Sequence, residues 1–481
     1  MPIILITIFG LVLRIIGVFT VPLTFDETHN ILLSQSNDLM LMIKAAIEAY
    51  PPLYFLIWHA LYTISDNLIF LRLPSLVFGI LTILLAADLG KRLFNWNIGL
   101  VAALLFAFSP SQIYYSSIAR MYSLNILETL LIIYFFTKFI KTRSGLVLFG
   151  ITMLIGLYSN YFFIIFFFVL SLYFYSHFYA DKKIIKQWLV LNGVILFLYL
   201  PLVYLFFTVE RAFAVPANAI LKIPFFFIVP FVPWDIIQTL SIVTVRQFDL
   251  LSFFAFGIIF LVFILFTLAI FTKKDKNIKF FIFVYLLSTT IIVLLSYLIF
   301  RIMNLRAFIL FSPFFYFIIS AFLEKIRVKT RVAIIALIIF LNLFFLTFYY
   351  TNSLGSKDIL SQVYKEFKDN DYVVYNDVVL YLPSRILKPK GSHLLIYPGY
   401  LAENQFKALN ISLAKLPNSI KANSRIWYIK QNTNWPPYEV LATKLENNLK
   451  ENYTELKRKY YYQFQLILYM PKENEKKHEN T

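Results

Sequence analysis

Two adjacent carboxylates, Asp26 and Glu27, follow Pro22 at the point where the first hydrophobic segment (Ile3–Val21) gives way to a polar loop. Holding two acids at the mouth of a membrane span is costly unless they meet water, cations or a reacting group. The structural alternative is that they cap the first surface helix or pair with a nearby arginine. The pair is therefore the first candidate for acid-base chemistry, with the structural role left open.

Arginines near the ends of hydrophobic segments form the second candidate group. Arg120 lies where the third and fourth apolar segments meet, and Arg301 and Arg306 lie between the ninth and tenth. Arginine at such a depth usually pairs with an acid or holds an anion, and its planar fork suits phosphate. For Arg120 we favour an anion, because Glu128, the nearest acid in sequence, lies two turns deeper in the same segment.

Two further arginines, Arg14 inside the first apolar segment and Arg72 after Leu71, could reach either an anion or the acidic pair. We interpret both first as structural partners. No cluster of Asp, Glu and His has convincing metal-ligand spacing, although His29 lies three residues after Asp26. The sequence therefore predicts no required cofactor; a divalent metal is possible but not supported.

The composition defines the class of protein that must position these residues. Of 481 residues, 60% are hydrophobic and 19% aromatic, and the mean hydropathy is +0.72. Repeated apolar runs of about 18 residues or more predict an α-helical polytopic membrane protein. The absence of cysteine excludes disulfides and thiolate metal sites. The first segment lacks a basic start and a small-residue cleavage site, so we predict a retained helix.

Eleven apolar runs predict membrane spans with a consistent orientation. Sixteen of the 25 basic residues before Thr351 lie in the loops that fall on one side, which predicts a cytoplasmic N-terminus. The net charge of +18 thus reflects membrane topology rather than a nucleic-acid partner. The predicted spans are 3–21, 70–90, 97–113, 121–140, 144–158, 159–180, 188–208, 251–272, 279–300, 304–323 and 332–350.

Two long loops fall on the outer side in this scheme. The first, residues 22–69, contains two predicted surface helices, Leu39–Tyr50 and Pro52–Ile64; the latter is too short to cross a bilayer. The second, residues 209–250, is interrupted by prolines and is predicted to cover the site as a lid. A tag inserted at Asp66 that is reachable only from the cytoplasm would contradict this topology.

The chain changes character after the predicted transmembrane domain (1–350). Predicted helices at 357–370 and 439–449 alternate with strands at 372–375, 393–397, 425–429 and 463–469. This alternation indicates a small α/β domain over 351–471, outside the cytoplasm after eleven crossings. The charged segment 472–481 is predicted to be disordered.

Short motifs in a fixed order resemble those of glycosyltransferase family 39, membrane enzymes of the GT-C fold that include protein O-mannosyltransferases and lipid A aminoarabinose transferases. The resemblance covers roughly residues 1–330. The matching elements are the acidic pair Asp26-Glu27, Pro51-Pro52-Leu53-Tyr54 with His59, Leu71-Arg72-Leu73-Pro74-Ser75, Ala119-Arg120-Met121-Tyr122-Ser123-Leu124, Tyr158-Ser159-Asn160-Tyr161-Phe162, and Arg306 to Pro313.

The resemblance implies an inverting transferase that moves a sugar from a polyprenyl-phosphate donor to an extracytoplasmic protein, lipid or glycan. Asp26 would be the general base, with Glu27 orienting it or binding a sugar hydroxyl. Arginines would bind the donor phosphate. The phosphate-binding set is Arg120, Arg306 and Arg301, and the substrate-binding set is Tyr54, His59, Tyr122 and Asn160. For Tyr54 and His59, the alternatives are a membrane-interface anchor and a packing residue.

Two positions depart from the family pattern. Ile118 stands where many relatives carry a Glu, and Asn160 replaces the usual His, so neither can titrate near neutral pH. The implied location is the plasma or inner membrane. The rival hypothesis is a transporter or flippase of a lipid-linked sugar or other anionic lipid; a third is a non-catalytic assembly partner.

Overall fold

The computed structural model describes the chain except residues 210–274, 296–308, 353–355, 388–390, 398–400, 402, 415–419, 422–423, 432–435, 462–463 and 473–481. The chain divides into two compact units. The helical unit comprises Met1–Val21, Ala46–Val209 and Phe213–Ser353. The sheet unit comprises Pro22–Ala45, Glu210–Ala212 and Leu354–Thr481, so it combines an early segment with the C-terminal part of the chain.

Most described residues before 353 are helical. The helices are α1 (Pro2–Thr20), α2 (Phe25–Ser34), α3 (Leu39–Ile47), α4 (Leu53–Tyr62), α5 (Leu68–Leu93), α6 (Trp96–Phe108), α7 (Pro110–Tyr115), α8 (Tyr122–Thr142), α9 (Leu146–Ser159), α10 (Phe163–Phe178), α11 (Lys182–Thr208), α12 (Lys276–Leu295), α13 (Ser312–Glu324) and α14 (Val328–Asn352). Asparagine side chains cap the N-termini of α5 and α6. Asn67 Oδ1 accepts a hydrogen bond from Ile69 N, and Asn95 Oδ1 accepts one from Ile98 N.

Among the described residues, five helices are long and apolar enough to cross a membrane. These are α1, α5, α8, α11 and the 328–347 part of α14. The chain is thus an integral membrane protein, and the prediction of an α-helical polytopic fold is confirmed. The predicted span 251–272 lies outside the described residues, as do parts of 279–300 and 304–323.

The predicted continuous span 97–113 is wrong in detail. Helix α6 ends at Phe108, Ser109 is extended, and Pro110 starts α7. Proline cannot donate a backbone hydrogen bond and disfavours the helical conformation in the preceding residue, which explains the break. The neighbouring helices α5 and α6 pack closely because both carry glycine: a Cβ on Gly90 would fall 2.5 Å from Gly99 Cα.

The sheet unit is built on a mixed five-stranded sheet of order β2-β1-β3-β5-β4. Strand β1 is parallel to β2 and β3, whereas β5 is antiparallel to β3 and β4. Its elements are α15 (Ser356–Tyr364), β1 (Tyr372–Tyr375), α16 (Val378–Leu387), β2 (Ser392–Leu395), α17 (Glu403–Ala408), β3 (Ile426–Gln431), α18 (Pro436–Asn452), β4 (Tyr453–Tyr460) and β5 (Phe464–Pro471).

The core of this unit lies between the sheet and α18. Inward residues of the central strands, such as Val374, Tyr428 and Ile467, pack with Leu445 and Leu449 of the helix. All of these side chains are buried. Successive side chains of a strand point to opposite faces of the sheet, so alternate residues of β3 and β5 pack against the helix.

Four strands and the helix predicted at 439–449 agree with the structure within a few residues, whereas the helix predicted at 357–370 ends earlier, at Tyr364. The prediction missed α16, α17 and strand β4. Strand β4 has the sequence YTELKRKY, which lacks an apolar alternation because it is an edge strand. Charged residues on an edge strand oppose pairing with other chains. They also remove the apolar alternation from which a strand is predicted.

Candidate functional site

The acidic pair lies in the first turn of α2, in the sheet unit. The N-cap of this helix is Thr24, whose Oγ1 accepts from Glu27 N at 3.2 Å. The N-cap is therefore Thr24 and neither acid, and both acids occupy the turn where the helix dipole favours negative charge. Asp26 is partly exposed, whereas Glu27 is fully buried. Asp26 is thus the more accessible of the two carboxyl groups.

Helix α2 carries other polar residues on the face of Asp26. His29 and Asn30 are three and four residues further along, so they share that face. Both are buried, Asn30 completely. Helix α2 packs against α16 of the same unit. The first loop thus contains a third helix that the sequence analysis did not predict, because α2 mixes polar and apolar residues at its start.

In the helical unit, Arg120 precedes α8 and is 2% exposed. Its guanidinium carbon lies 5.0 Å from the ring centre of Tyr50 and 5.4 Å from that of Tyr122. Its Nη2 also donates to the Tyr122 hydroxyl at 3.3 Å. Aromatic faces stabilise a guanidinium ion in a low-dielectric site. Of the two rings, Tyr122 is buried and Tyr50 is the more exposed.

Backbone and side-chain hydrogen bonds join motifs that are distant in sequence. Trp58 Nε1 donates to Leu71 O at 3.0 Å, which links α4 to the start of α5. Ser75 Oγ donates to Arg120 O at 3.3 Å. The segments 51–59, 71–75 and 119–124 therefore lie together in the helical unit.

The other predicted substrate residues differ in their surroundings. Tyr54 is 1% exposed, and its ring stacks on Trp58 with centres 3.8 Å apart. This interior position contradicts the alternative of a membrane-interface anchor for Tyr54. His59 is partly exposed on the same helix, α4. Asn160 is buried at the end of α9.

Asn160 belongs to a closed set of buried side chains, Asn125, Glu128, Ser159 and Asn160, which we call the polar ring. Asn160 Nδ2 donates to Asn125 Oδ1 at 3.0 Å, and Asn125 Nδ2 donates to Glu128 Oε2 at 3.1 Å. Ser159 Oγ and Glu128 Oε1 are 2.6 Å apart. In the sequence Glu128 is recognisable only as an acid distant from Arg120, because sequence spacing does not show which residues of α8 and α9 are in contact.

Arg14 and Arg72 bind backbone carbonyls, which supports their interpretation as structural residues. Arg14 donates to Phe106 O, Ala107 O and Gly10 O at 2.9 to 3.2 Å and to Ser116 Oγ at 3.3 Å. Arg72 donates to Val18 O and Val21 O at 2.7 and 3.1 Å. The last carbonyls of a helix attract cations, so these arginines join helix ends in the helical unit.

Three expectations fall on parts that the structure does not describe: Arg301, Arg306 and nearly all of the loop 209–250. Within the described ranges, no three His, Asp or Glu side chains come together as a metal site.

Comparison with known proteins gives a fold and a match of part of the chain to a family model. Residues 49–207 match the family model described as dolichyl-phosphate-mannose-protein mannosyltransferase. The structure resembles ArnT from Cupriavidus metallidurans in the apo state (TM-score 0.59) and bound to undecaprenyl phosphate (TM-score 0.56). In both cases the identity is 11%, and the alignment covers 97% of each chain. No curated protein sequence matches the chain significantly.

The chain therefore has the GT-C fold of these ArnT structures. The family match covers roughly a third of the chain, and it agrees with the resemblance to family 39 that the motifs carry. The matched range 49–207 contains Tyr54, His59, Arg120, Tyr122 and Asn160.

Proposed function

We propose that this protein transfers a single sugar from a polyprenyl-phosphate donor to a hydroxyl group of an extracytoplasmic protein, lipid or glycan. The acceptor hydroxyl gives its proton to the Asp26 carboxylate while its oxygen attacks the anomeric carbon. The bond between that carbon and the phosphate oxygen breaks, and the electron pair leaves with polyprenyl phosphate. A single displacement inverts the anomeric configuration.

The observation that carries the proposal is the buried environment of Arg120. A guanidinium that lies between the rings of Tyr50 and Tyr122 is desolvated, and desolvated cations bind anions more strongly than hydrated ones. Displacing Tyr50, the more exposed ring, would uncover the charge for a donor phosphate. Stabilising the charge on the departing phosphate would help the displacement.

The relatives support this choice of donor. The description of the family model names dolichyl-phosphate mannose, and one of the similar ArnT structures contains undecaprenyl phosphate. Both lipids are polyprenyl phosphates. Arg301 and Arg306 are proposed as further phosphate ligands, and Tyr54, His59, Tyr122 and Asn160 as substrate ligands.

Asp26 is the proposed base because its carboxyl group is partly exposed, whereas that of Glu27 is buried. A base must reach the proton that it removes. Glu27, adjacent to the base in the first turn of α2, would orient Asp26 or bind a sugar hydroxyl. The donor lipid would lie in the outer leaflet of the membrane. For Asp26 and Glu27 to reach it, the N-terminus must be cytoplasmic and the sheet unit extracytoplasmic.

The decisive experiment supplies purified protein with a radiolabelled polyprenyl-phosphate sugar and an acceptor extract. Wild-type protein should release polyprenyl phosphate and label the acceptor. Asp26→Asn should reduce transfer by roughly a thousandfold, within the range of general-base contributions. Arg120→Lys should mainly raise the KM for the donor, because an ammonium cannot bind phosphate through two parallel hydrogen bonds.

Asp38→Asn is the matched control for Asp26→Asn. Asp38 lies in the same early segment, and its Oδ1 caps α3 by accepting from Leu41 N at 2.9 Å. Asparagine caps a helix equally well, so this variant should keep full activity. Full activity of Asp26→Asn would remove Asp26 from the mechanism. Movement of the labelled lipid across a bilayer without any transfer would favour the flippase hypothesis.

A further inference from the structure

The polar ring has an energetic cost that the transmembrane fold does not require. Glu128 lies within α8, a helix long and apolar enough to cross the membrane, and is 3% exposed. An ionisable group at such a position is expensive and usually functional. Leucine or alanine would serve the packing of α8 without this cost. The function of Glu128 must therefore lie in what its two oxygens hold.

The hydrogen bonds of the ring have a fixed direction. The backbone N–H of Phe162 can only donate, and it donates to Asn160 Oδ1 at 3.0 Å. This bond leaves Asn160 Nδ2 as the donor to Asn125 Oδ1, and hence Asn125 Nδ2 as the donor to Glu128. The chain of donors therefore has to end on a side chain that accepts, and Glu128 Oε2 is that acceptor.

The ring closes through the residue next to Asn160 in sequence. Ser159 Oγ donates to Glu128 Oε1 at 2.6 Å, and Ile155 O, at 2.9 Å, is the alternative acceptor of the same proton. Glu128 thus holds two consecutive residues, Ser159 directly and Asn160 through Asn125. Two anchor points on consecutive residues fix both the position and the rotation of the junction between α9 and α10.

The same junction is connected to the surroundings of Arg120. Tyr161 OH donates to Ile47 O at 2.9 Å, and Tyr50, one turn further along, lies over the guanidinium. On the other side of the ring, Asn125 lies one turn after Tyr122, the second aromatic neighbour of Arg120. A shift of the junction would therefore reach both rings that surround the arginine.

We propose that Glu128 is a positioning residue that fixes the α9–α10 junction and, through it, the substrate-binding Asn160 and the aromatic surroundings of Arg120. It does not touch the substrate itself. The effect on the donor rests on the proposed function, whereas the effect on the junction does not.

The first measurement reports the junction directly. The chain has no cysteine, so Phe162→Cys supplies a single thiol while keeping the backbone N–H that donates to Asn160. In this background Glu128→Met removes both acceptors at similar side-chain length. It should accelerate labelling of the thiol by a small maleimide roughly tenfold, the effect of orphaning a buried donor.

Glu128→Gln is the conservative variant. Its Oε1 can accept from Asn125 Nδ2, and its Nε2 can donate to Ser159 Oγ, whose proton then goes to Ile155 O. Labelling should therefore stay at the parent rate. Thr137→Val is the matched control, since it removes a hydrogen bond to Ile133 O elsewhere on α8 and should leave labelling unchanged.

The second measurement uses the transfer assay. Glu128→Met should raise the KM for the donor roughly tenfold, with a smaller change in kcat, and Glu128→Gln should restore the wild-type KM. Combined with Asn160→Ala, Glu128→Met should add little to the donor KM, because both changes release the same α9–α10 junction.

Equal labelling of the Met variant and its parent would overturn the proposal, as would labelling of the Gln variant as fast as that of the Met variant. Faster labelling with an unchanged donor KM would confine Glu128 to a structural role and also overturn it. If wild-type protein transfers no sugar, the proposed function fails, and the labelling rates alone then decide whether Glu128 fixes the junction.

Discussion

The two units of this protein stabilise buried charged residues with different partners. In the helical unit, Arg14 is completely buried and its described hydrogen bonds go to three carbonyls and a serine, while Glu128 bonds to Asn125 and Ser159. In the sheet unit, Asp371 receives two hydrogen bonds from Arg425, at 2.6 and 2.9 Å. Glu446 likewise lies within 3.0 Å of Lys430, Lys450 and Arg458.

The difference follows from what each unit can offer at low cost. Helix ends supply carbonyl groups that no backbone donor uses, and a long side chain from a neighbouring helix can satisfy several of them. The sheet unit has many charged residues at its surface, and a partly exposed ion pair needs less desolvation than one in a bilayer. Arg14 and Glu128 in the helical unit therefore depend on directional bonds to neutral groups, whereas Asp371 and Glu446 in the sheet unit depend on charge neutralisation.

The largest effect is expected for Arg14→Met, which leaves the carbonyls at the end of α6 without a partner. The cost should be on the order of 4 kcal/mol, because a charged multiple donor is lost in the interior. Thermal unfolding of the purified protein would show a large fall in Tm. Arg92→Met is the control: its side chain is 57% exposed, pairs with Asp88 and lies over the ring of Tyr134, so Tm should hardly change.

The next effect tests charge neutralisation in the sheet unit. Arg425, Trp427 and the Lys368 N–H all donate to the Asp371 carboxylate. Asp371→Asn removes the negative charge and one of the two acceptor oxygens. The loss should be about 2 to 3 kcal/mol. The urea concentration at which proteases cut the sheet unit would report it. The exposed Asp369→Asn should leave that concentration unchanged.

A smaller effect appears as a pH dependence. Burial alone would raise the pKa of Glu446, but hydrogen bonds from Lys430, Arg458 and Lys450 lower it to about 2 from 4.5. Because the folded pKa is depressed, this stabilisation is present above pH 4.5 and is lost as the pH falls toward about 2. Glu446→Gln should flatten the dependence of urea resistance on pH in that window. An unchanged slope would contradict the assignment.

The smallest effect has the opposite sign. Burial raises the pKa of Asp377 from 3.8 to about 6, against the opposing hydrogen bonds from the Val379 and Val378 N–H groups. Because the pKa of Asp377 is higher in the folded protein, its contribution to the free energy of unfolding is fully present below pH 3.8. This contribution is lost as the pH rises through about 6. Asp377→Asn keeps an acceptor for Val379 N and should remove this decline. The same protease measurement between pH 4 and 7 would reveal it.

The sequence predicted those parts of the fold that hydrophobic pattern controls. The apolar runs of α1, α5 and α8 and the buried strands β1 and β3 appear close to their predicted positions. Strand β4 could not be found this way, because its stability comes from pairing with β5 rather than from its own pattern. Likewise the break before Pro110 depends on a single residue within an otherwise continuous apolar run.

Less of the candidate site could be predicted. Motif order identified Arg120 and Tyr122, and the structure places them in contact. Tyr50, the other ring at Arg120, is an ordinary residue in sequence and is recognised only from its position. The ring formed by Asn125, Glu128, Ser159 and Asn160 was equally hidden, since polar contacts between two helices depend on their rotation about their axes, which spacing along one helix does not fix.

The packing of α2 against α16 has a consequence for biosynthesis. About 350 residues separate the two helices, and at typical translation rates roughly 20 to 70 seconds pass between their appearances from the ribosome. Throughout that interval the apolar residues of α2, among them Ile31 and Leu33, lack their final partner. The nascent chain must therefore be shielded at this early segment until its last domain has been made.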